Sequence, residues 1–480
     1  MTRQDVASKE PGTPDLQRVL TRGQMSMMAL GSAIGAGLFV GSGQSIATAG
    51  PAVLVSYAVA GLLAVLVMGM LAEMAAAEPA SGAFSVFTER ALGQIPGATI
   101  GWLYWVQLIV VVAAEATGAA SITTALVPGV PQWVWVLVFV AGVSVLNLLD
   151  VRGFGRFEFW LAIVKVAAIV AFLVVGVLIL CGVFPSVPSP GLRHLVSAGG
   201  FAPAGIGGIS AAILVVVFAF GGIEIVAIAA AESDDPAQNV RRAVTSVLWR
   251  ILVFYIGSIA LIVAVLPWND PAVAAGPFAA VLNLVGLPGA DTVLSIVIVL
   301  ALLSALNATL YGASRMIFSL GERGYAPRSV NRIGANGTPR VAVLASVSFG
   351  FVTVLLNFAF PGSVLPALLN VVGSTLLVTW GAIAVSQIVL RRRADRAGTP
   401  SPARLPGFPV VSILALVLIA GIVALTMGDA GARVQLLETL ALTLVLVIVL
   451  RLFVPRRAPR PDDSTGAAET TTLAGESPRS

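Results

Sequence analysis

The stretch Gly31-Ser32-Ala33-Ile34-Gly35-Ala36-Gly37 lies inside an apolar run from Met25 to Ala49. Each glycine costs a helix about 1 kcal/mol relative to alanine, and in lipid no water replaces a lost backbone hydrogen bond. Interrupted backbone at membrane depth therefore survives only where protein buries it or where it lines a polar cavity. A break here frees backbone N–H groups at Gly35, Ala36 and Gly37, beside Ile34. The half-helix that follows points its positive end into the gap. Those donors suit a carboxylate, and the Ser32 hydroxyl is a further donor. The competing reading of these small residues is close helix packing.

A second interruption, Phe218-Ala219-Phe220-Gly221-Gly222-Ile223-Glu224, lies inside the run from Gly208 to Ala231. A break at Gly221-Gly222 releases carbonyls near Phe218 and Gly221. The C-terminal end of a half-helix is negative and suits an ammonium group. A zwitterion between the two breaks has both charges matched. Phe220 reads as a core aromatic.

Among the ionisable residues inside apolar runs, Glu115, Lys165 and Glu224 stand out. Such a charge costs at least about 2.5 kcal/mol at the bilayer centre and marks a functional position by default. Glu224 follows the second break and either bridges the broken helices or takes a proton. Glu115 must face the bundle, where it meets a ligand or pairs internally. Lys165 is the single lysine beyond the first 22 residues, and a lysine in that setting can change protonation during a cycle. Its structural alternatives are an ion pair or snorkelling to the surface. Glu73, near the end of its run, reads equally as solvated or loop-bonded.

The elements that must position these groups follow from composition. The chain has 480 residues, 58% hydrophobic and 11% charged, with a mean hydropathy of +0.97. Soluble proteins carry about 25% charged residues, so this is an integral membrane protein. The lone Cys181 rules out an intramolecular disulfide framework and has no metal-ligand spacing. No His/Cys cluster, Walker loop or nucleophile elbow is present, which leaves an enzyme reading without a catalytic constellation and a transport reading without ATP. No cleavable signal peptide is expected, since the first 22 residues are polar and charged and the first apolar run is too long.

Apolar runs near the roughly 20 residues needed to cross a bilayer fall at 25–49, 52–76, 98–126, 132–149, 158–183, 208–231, 243–266, 291–319, 341–360, 364–390, 409–427 and 434–454. Of the 28 Lys and Arg residues, all but Lys165, Arg193 and Arg433 fall on one side of this twelve-span reading or at its flanks. The bias places both termini in the cytoplasm. The basic residues form a rim rather than one patch, so no nucleic-acid partner is expected. Spans 1–5 and 6–10 have nearly equal length, and each block begins with its broken span. Five is odd, so the second block enters from the opposite side, an inverted repeat. The divisions are a cytoplasmic tail (1–22), the first repeat (23–183), an extracellular loop (184–207), the second repeat (208–390), spans 11 and 12 (391–455) and a disordered cytoplasmic tail (456–480). Residues 79–97 read as a loop with a short amphipathic helix, and 267–290 as an outer cap. Trp102, Trp105, Trp133, Trp135 and Trp268 read as interfacial anchors. Arg391-Arg392-Arg393 reads as a positive-inside stop signal.

These motifs, with Ala49-Gly50-Pro51, Phe157-Glu158-Phe159-Trp160, Ala231-Glu232-Ser233, Asp235-Pro236, Ser314-Arg315-Met316 and Gly324-Tyr325-Ala326-Pro327 in that order, resemble the amino acid permeases of the amino acid–polyamine–organocation superfamily. The likeness is to the bacterial amino acid transporter branch, over about residues 20–455. Arg156 departs from it, standing where an acidic residue is expected. The resemblance implies an all-α integral membrane protein with twelve transmembrane helices and a LeuT-like 5+5 inverted repeat, helices 1 and 6 broken. It implies amino acid import across the plasma membrane by proton symport with alternating access. The substrate would be held by Ser32, Ile34, Gly35, Ala36, Gly37, Glu115, Phe218 (as aromatic gate), Gly221 and Gly222. Lys165 would be the proton-coupling group with Ser304 as partner, and Glu224 a second candidate. The partners are an amino acid, protons and membrane lipid, with no cofactor and no metal; the oligomeric state stays open. Sodium symport, exchange and a non-transporting sensor are the alternatives.

Overall fold

The computed structural model describes residues 34–78, 83–149, 151–185, 187, 189–224, 251–286, 288–334, 337–399 and 401–455, with side chains at all of these except 83, 149, 151–159, 251 and 252. Ser32, both tails, the second half of span 6 and the start of span 7 lie outside them, as does the side chain of Arg156.

The described chain is all helical, without a strand. The described part of span 1 forms α1 (Ala36–Phe39) and α2 (Gly41–Ala49), and α3 (Val53–Ala77) follows. The loop expected to hold an amphipathic helix holds α4 (Ala83–Leu92). Gly93, at φ +101°, reverses the chain into α5 (Gln94–Leu126). Then come α6 (Gln132–Leu149), α7 (Val151–Leu180) and α8 (Gly205–Ala219), which stops at the second glycine break. A π turn (Ile251–Ile256) leads into α9 (Gly257–Val265). The segment read as a cap folds into α10 (Pro271–Ala275) and α11 (Pro277–Leu284). The remaining helices are α12 (Ala290–Glu322), α13 (Arg340–Ala359), α14 (Val364–Ala397), α15 (Val410–Thr426) and α16 (Ala430–Phe453). Among the described residues, seven helical stretches are long and apolar enough to cross a membrane and four shorter helices are apolar. A multi-helix membrane bundle results. Helical residues occur at each of the twelve apolar runs, with Ala36–Ala77 continuing as one apolar stretch of 42 residues.

Helix α5 is the hub and packs against α1, α4, α6, α12, α13, α14 and α16. Its inner face carries Ala113, Ala114, Ala116, Gly118, Ala119 and Ala120, all buried. Small residues let helices approach closely where lipid supplies no hydrophobic drive between them. Polar cross-links add to this packing. Asn357 of α13 donates to the Thr117 hydroxyl at 3.1 Å, and Asn147 of α6 donates to the Asn307 carbonyl of α12 at 2.6 Å. The tryptophans read as interfacial anchors also join helices: Trp102 donates to the Tyr325 carbonyl and Trp105 to the Ser346 hydroxyl.

The described parts of spans 1 and 6 lie against each other. α2 packs along α8, and α14 packs on α8 from another side. In the latter contact a Cβ at Gly373 would stand 2.1 Å from the Leu214 carbonyl oxygen. At the far end of α1, Phe39 stacks edge-on against Phe278 of α11 at 5.1 Å, and Phe172 of α7 meets the same ring at 4.6 Å.

Overpacking a filled core costs about 1–3 kcal/mol or more, and Gly373 faces backbone that cannot swing aside. Gly373→Val is expected to lower the melting temperature and the monodisperse yield in detergent. Gly381→Ala, on the same helix, meets only Ile419 Cδ1 at 4.0 Å and is expected to leave both unchanged. Thermal-shift gel filtration of the two variants checks this.

Candidate functional site

At the first break, Gly35 is extended (φ −144°, ψ −150°) and α1 begins at Ala36. The first N–H groups of a helix have no partner within it. Here the Ala36 N–H is met by both carboxylate oxygens of Glu115, each at 3.0 Å. Glu115 is 3% exposed, and a carboxylate at a helix N-terminus is favoured by the dipole and by charge-assisted hydrogen bonding. The carboxylate at the Ala36 N–H is a side chain of the protein, where the sequence reading expected that of a substrate. Gly35 is glycine because of that approach: a Cβ there would lie 2.2 Å from Glu115 Oε1. Gly37 serves packing, since a Cβ on it would lie 2.4 Å from the Ala219 Cα. That contact sets the positive start of one half-helix against the negative end of α8. Ile34 is buried beside the break.

At the second break, α8 closes with a tight turn in which Phe220 N–H donates to the Val217 carbonyl and Gly221 N–H to the Phe218 carbonyl at 2.8 Å. The Phe218 carbonyl is thus already engaged through one lone pair and is not fully released. Gly222 then takes φ +91°, a conformation natural to glycine. Glu224 Oε2 accepts the Gly222 N–H at 2.9 Å, and Oε1 accepts the Trp380 indole N–H from α14 at 2.5 Å. Neither bond reaches span 1. Trp380 is a site residue that the sequence reading did not name; a tryptophan mid-span, away from both interfaces, was the available signal. The Phe218 side chain is buried within the core. Phe220 packs between Tyr57 (5.9 Å) and Tyr255 (5.1 Å), as a core aromatic.

Lys165 on α7 is 1% exposed and lies within electrostatic reach of Glu115. Helix α7 packs on α12, which carries the fully buried Ser304. Glu115 and Lys165 thus belong to one site around the first break, while Glu224 belongs to a second cluster with Trp380.

Glu73 is part of a separate assembly at the Arg-rich end. It is loop-bonded and not solvated: Gln387 Nε2 donates to it at 2.9 Å, Arg391 at 3.2 Å and the Leu405 N–H at 3.2 Å. Beside it runs a cavity of about 330 Å³ whose wall carries two further ion pairs, Arg90–Glu78 and Arg404–Asp395. Arg391 also lies over the Phe408 ring, so it does more than mark the end of a span. No group of metal-ligating side chains occurs among the described residues.

Comparison with known proteins places this geometry. The sequence model described as amino acid permease matches residues 24–460. The aromatic amino acid transport protein AroP of Corynebacterium glutamicum is 48% identical over 415 residues, covering 86% of this chain and 89% of that protein. Gamma-aminobutyric acid permeases of Escherichia coli (42% over 416 residues, 86% and 89% covered) and Bacillus subtilis (39% over 443 residues, 92% and 94% covered) are also similar. Among solved structures, the manganese transporter of Eremococcus coleocola shares the fold, with a TM-score of 0.51 and 17% identity over 90% of this chain and 93% of that one.

Breaking a buried hydrogen bond to a charged group costs about 1.5–3 kcal/mol. Glu115→Ala and Gly35→Ala should each lower stability on that scale, and the double variant should be little worse than either, because both remove one contact. Additive losses in denaturation of the purified protein would refute the Glu115–Ala36 contact.

Proposed function

The chain belongs to the amino acid permease family, and from that premise we propose that it is a secondary active transporter importing an amino acid across the plasma membrane by alternating access and proton symport. It is a permease rather than an enzyme. The observation that carries the reading is the Ala36 N–H held by an internal carboxylate at a helix break backed against the end of α8.

The steps follow from the charges. The substrate carboxylate goes to the N–H groups at Gly35, Ala36 and Gly37, and its ammonium group to the carbonyl end of α8 near Phe218 and Gly221. Glu115 holds the substrate's donor while the site is unloaded. Loading moves Glu115 off Ala36, and Lys165 is the nearby cation that receives it. Lys165, with Ser304 as partner, takes up and releases the symported proton, which ties the proton to the presence of substrate. The Phe39–Phe278–Phe172 cluster is a barrier on one side of the breaks, and the ion pairs of Glu73, Glu78 and Asp395 are a latch on the other. Twelve crossings, an inverted repeat of 23–183 and 208–390, and cytoplasmic termini complete the proposal, supported by the one-sided placement of Lys and Arg.

The relatives direct the choice of substrates for the test, because they are described as transporting aromatic amino acids or gamma-aminobutyric acid. Protein in liposomes should accumulate a member of one of these classes when an inward proton gradient is applied, and should not need sodium. Lys165→Ala should abolish accumulation while substrate still binds. Normal accumulation by that variant would remove Lys165 from the mechanism, and uptake that ignores protons would replace symport with exchange or sodium coupling.

A further inference from the structure

Helix α14 presents three residues to the second broken span at i, i+3 and i+7, spacing that puts them on one helix face. Gly373 lies against the Leu214 backbone, Leu376 Cδ1 would stand 2.8 Å from a Cβ at Gly221, and Trp380 donates to Glu224. One face of one helix thus follows span 6 from before the break to after it. The first two contacts are steric. The third is a directed hydrogen bond between fully buried side chains.

We propose that Trp380 is a positioning residue: it fixes Glu224 and, through the Glu224–Gly222 bond, the shape of the second break where the substrate ammonium group is read. This rests on the transporter reading above. The indole N–H is a donor with no acceptor capacity, and so is the Gly222 N–H. Each carboxylate oxygen therefore has one assigned donor, one from the break itself and one from α14. Removing the indole N–H leaves Glu224 Oε1 buried without that donor and frees the side chain to turn away from Gly222. The break then loses the restraint that sets where the Phe218 and Gly221 carbonyls point.

An internal control stands beside it. Tyr104 of α5 is fully buried within electrostatic reach of Glu224, yet among the described residues its hydroxyl has no hydrogen-bond partner. Of these two buried aromatic donors, Trp380 is bonded to Glu224 and Tyr104 is not. If proximity or bulk mattered, both would be sensitive. If the bond matters, Trp380 alone is.

The experiment compares Trp380→Phe, Tyr104→Phe, Glu224→Leu and the double variant Trp380→Phe/Glu224→Leu in proteoliposomes, using the substrate found from the panel above. Trp380→Phe is expected to raise KM about tenfold or more, with a smaller change in kcat and an unchanged gel-filtration profile. Tyr104→Phe is expected to stay within twofold. In the Glu224→Leu background, Trp380→Phe should have no further effect. Equal effects of the two aromatic variants, or a full Trp380→Phe effect without Glu224, would overturn the proposal. A readout independent of transport is the indole 15N–1H resonance of Trp380. It should lie downfield in the wild type and move upfield in Glu224→Leu. An unmoved resonance would overturn the positioning role even if uptake is robust. A moved resonance in a protein that transports nothing would keep the contact and overturn the transporter reading instead.

Discussion

Backbone donors at a helix end inside a membrane cannot be satisfied by water, and the structure meets that requirement at Ala36 and at Gly222. At the first break Glu115 reaches from α5 to the Ala36 N–H. At the second, Glu224 turns back onto Gly222 of its own break. In both places a buried carboxylate is the partner, and in both its own burial is made tolerable by the donors it receives. An unpaired charge there would be costly, so each glutamate and its break are mutually required.

Close approach makes these pairs possible. Gly35 has no side chain where Glu115 arrives, and Gly37 has none where Ala219 lies. The breaks are brought together by the same glycines that weaken the helices. Glycine therefore has two roles along this stretch. It lowers the cost of leaving helical geometry, and it allows the second broken span to come within van der Waals distance of the first. The start of α1 and the end of α8 are thereby in van der Waals contact.

The ends of the bundle are held by different physics. On one side, two aromatic rings, from α1 and α7, pack around Phe278 of α11. On the other, α4 is tied in by hydrogen bonds from Arg323 and Tyr325 to Glu89, and Glu73 and Arg391 join α3 to α14. Aromatic packing is apolar, whereas the Arg-rich end carries ion pairs that water can exchange. The Arg90–Glu78 and Arg404–Asp395 pairs are partly exposed and each contributes little to stability. Contacts of that kind can be broken and remade without large cost.

The amino-acid sequence by itself determined the membrane class, the positions of the apolar runs, the two glycine-rich stretches and the short helix between runs. Each is a local property: hydropathy over about twenty residues, or glycine within seven. It also singled out Glu115, Lys165 and Glu224, because a charge in an apolar run is conspicuous whatever the fold. Tertiary structure alone decided their partners. Glu115 and Ala36 are 79 positions apart, and Glu224 and Trp380 are 156 apart; no periodicity in either helix specifies which residue of another will face it. That Glu115 would bond the Ala36 N–H, that Glu73 would be bonded rather than solvated, and that Trp380 would be a polar contact rather than core filling depend on how helices pack in three dimensions. Packing is set by the summed shape of many small side chains, and a carboxylate's partner is whichever donor that packing leaves beside it.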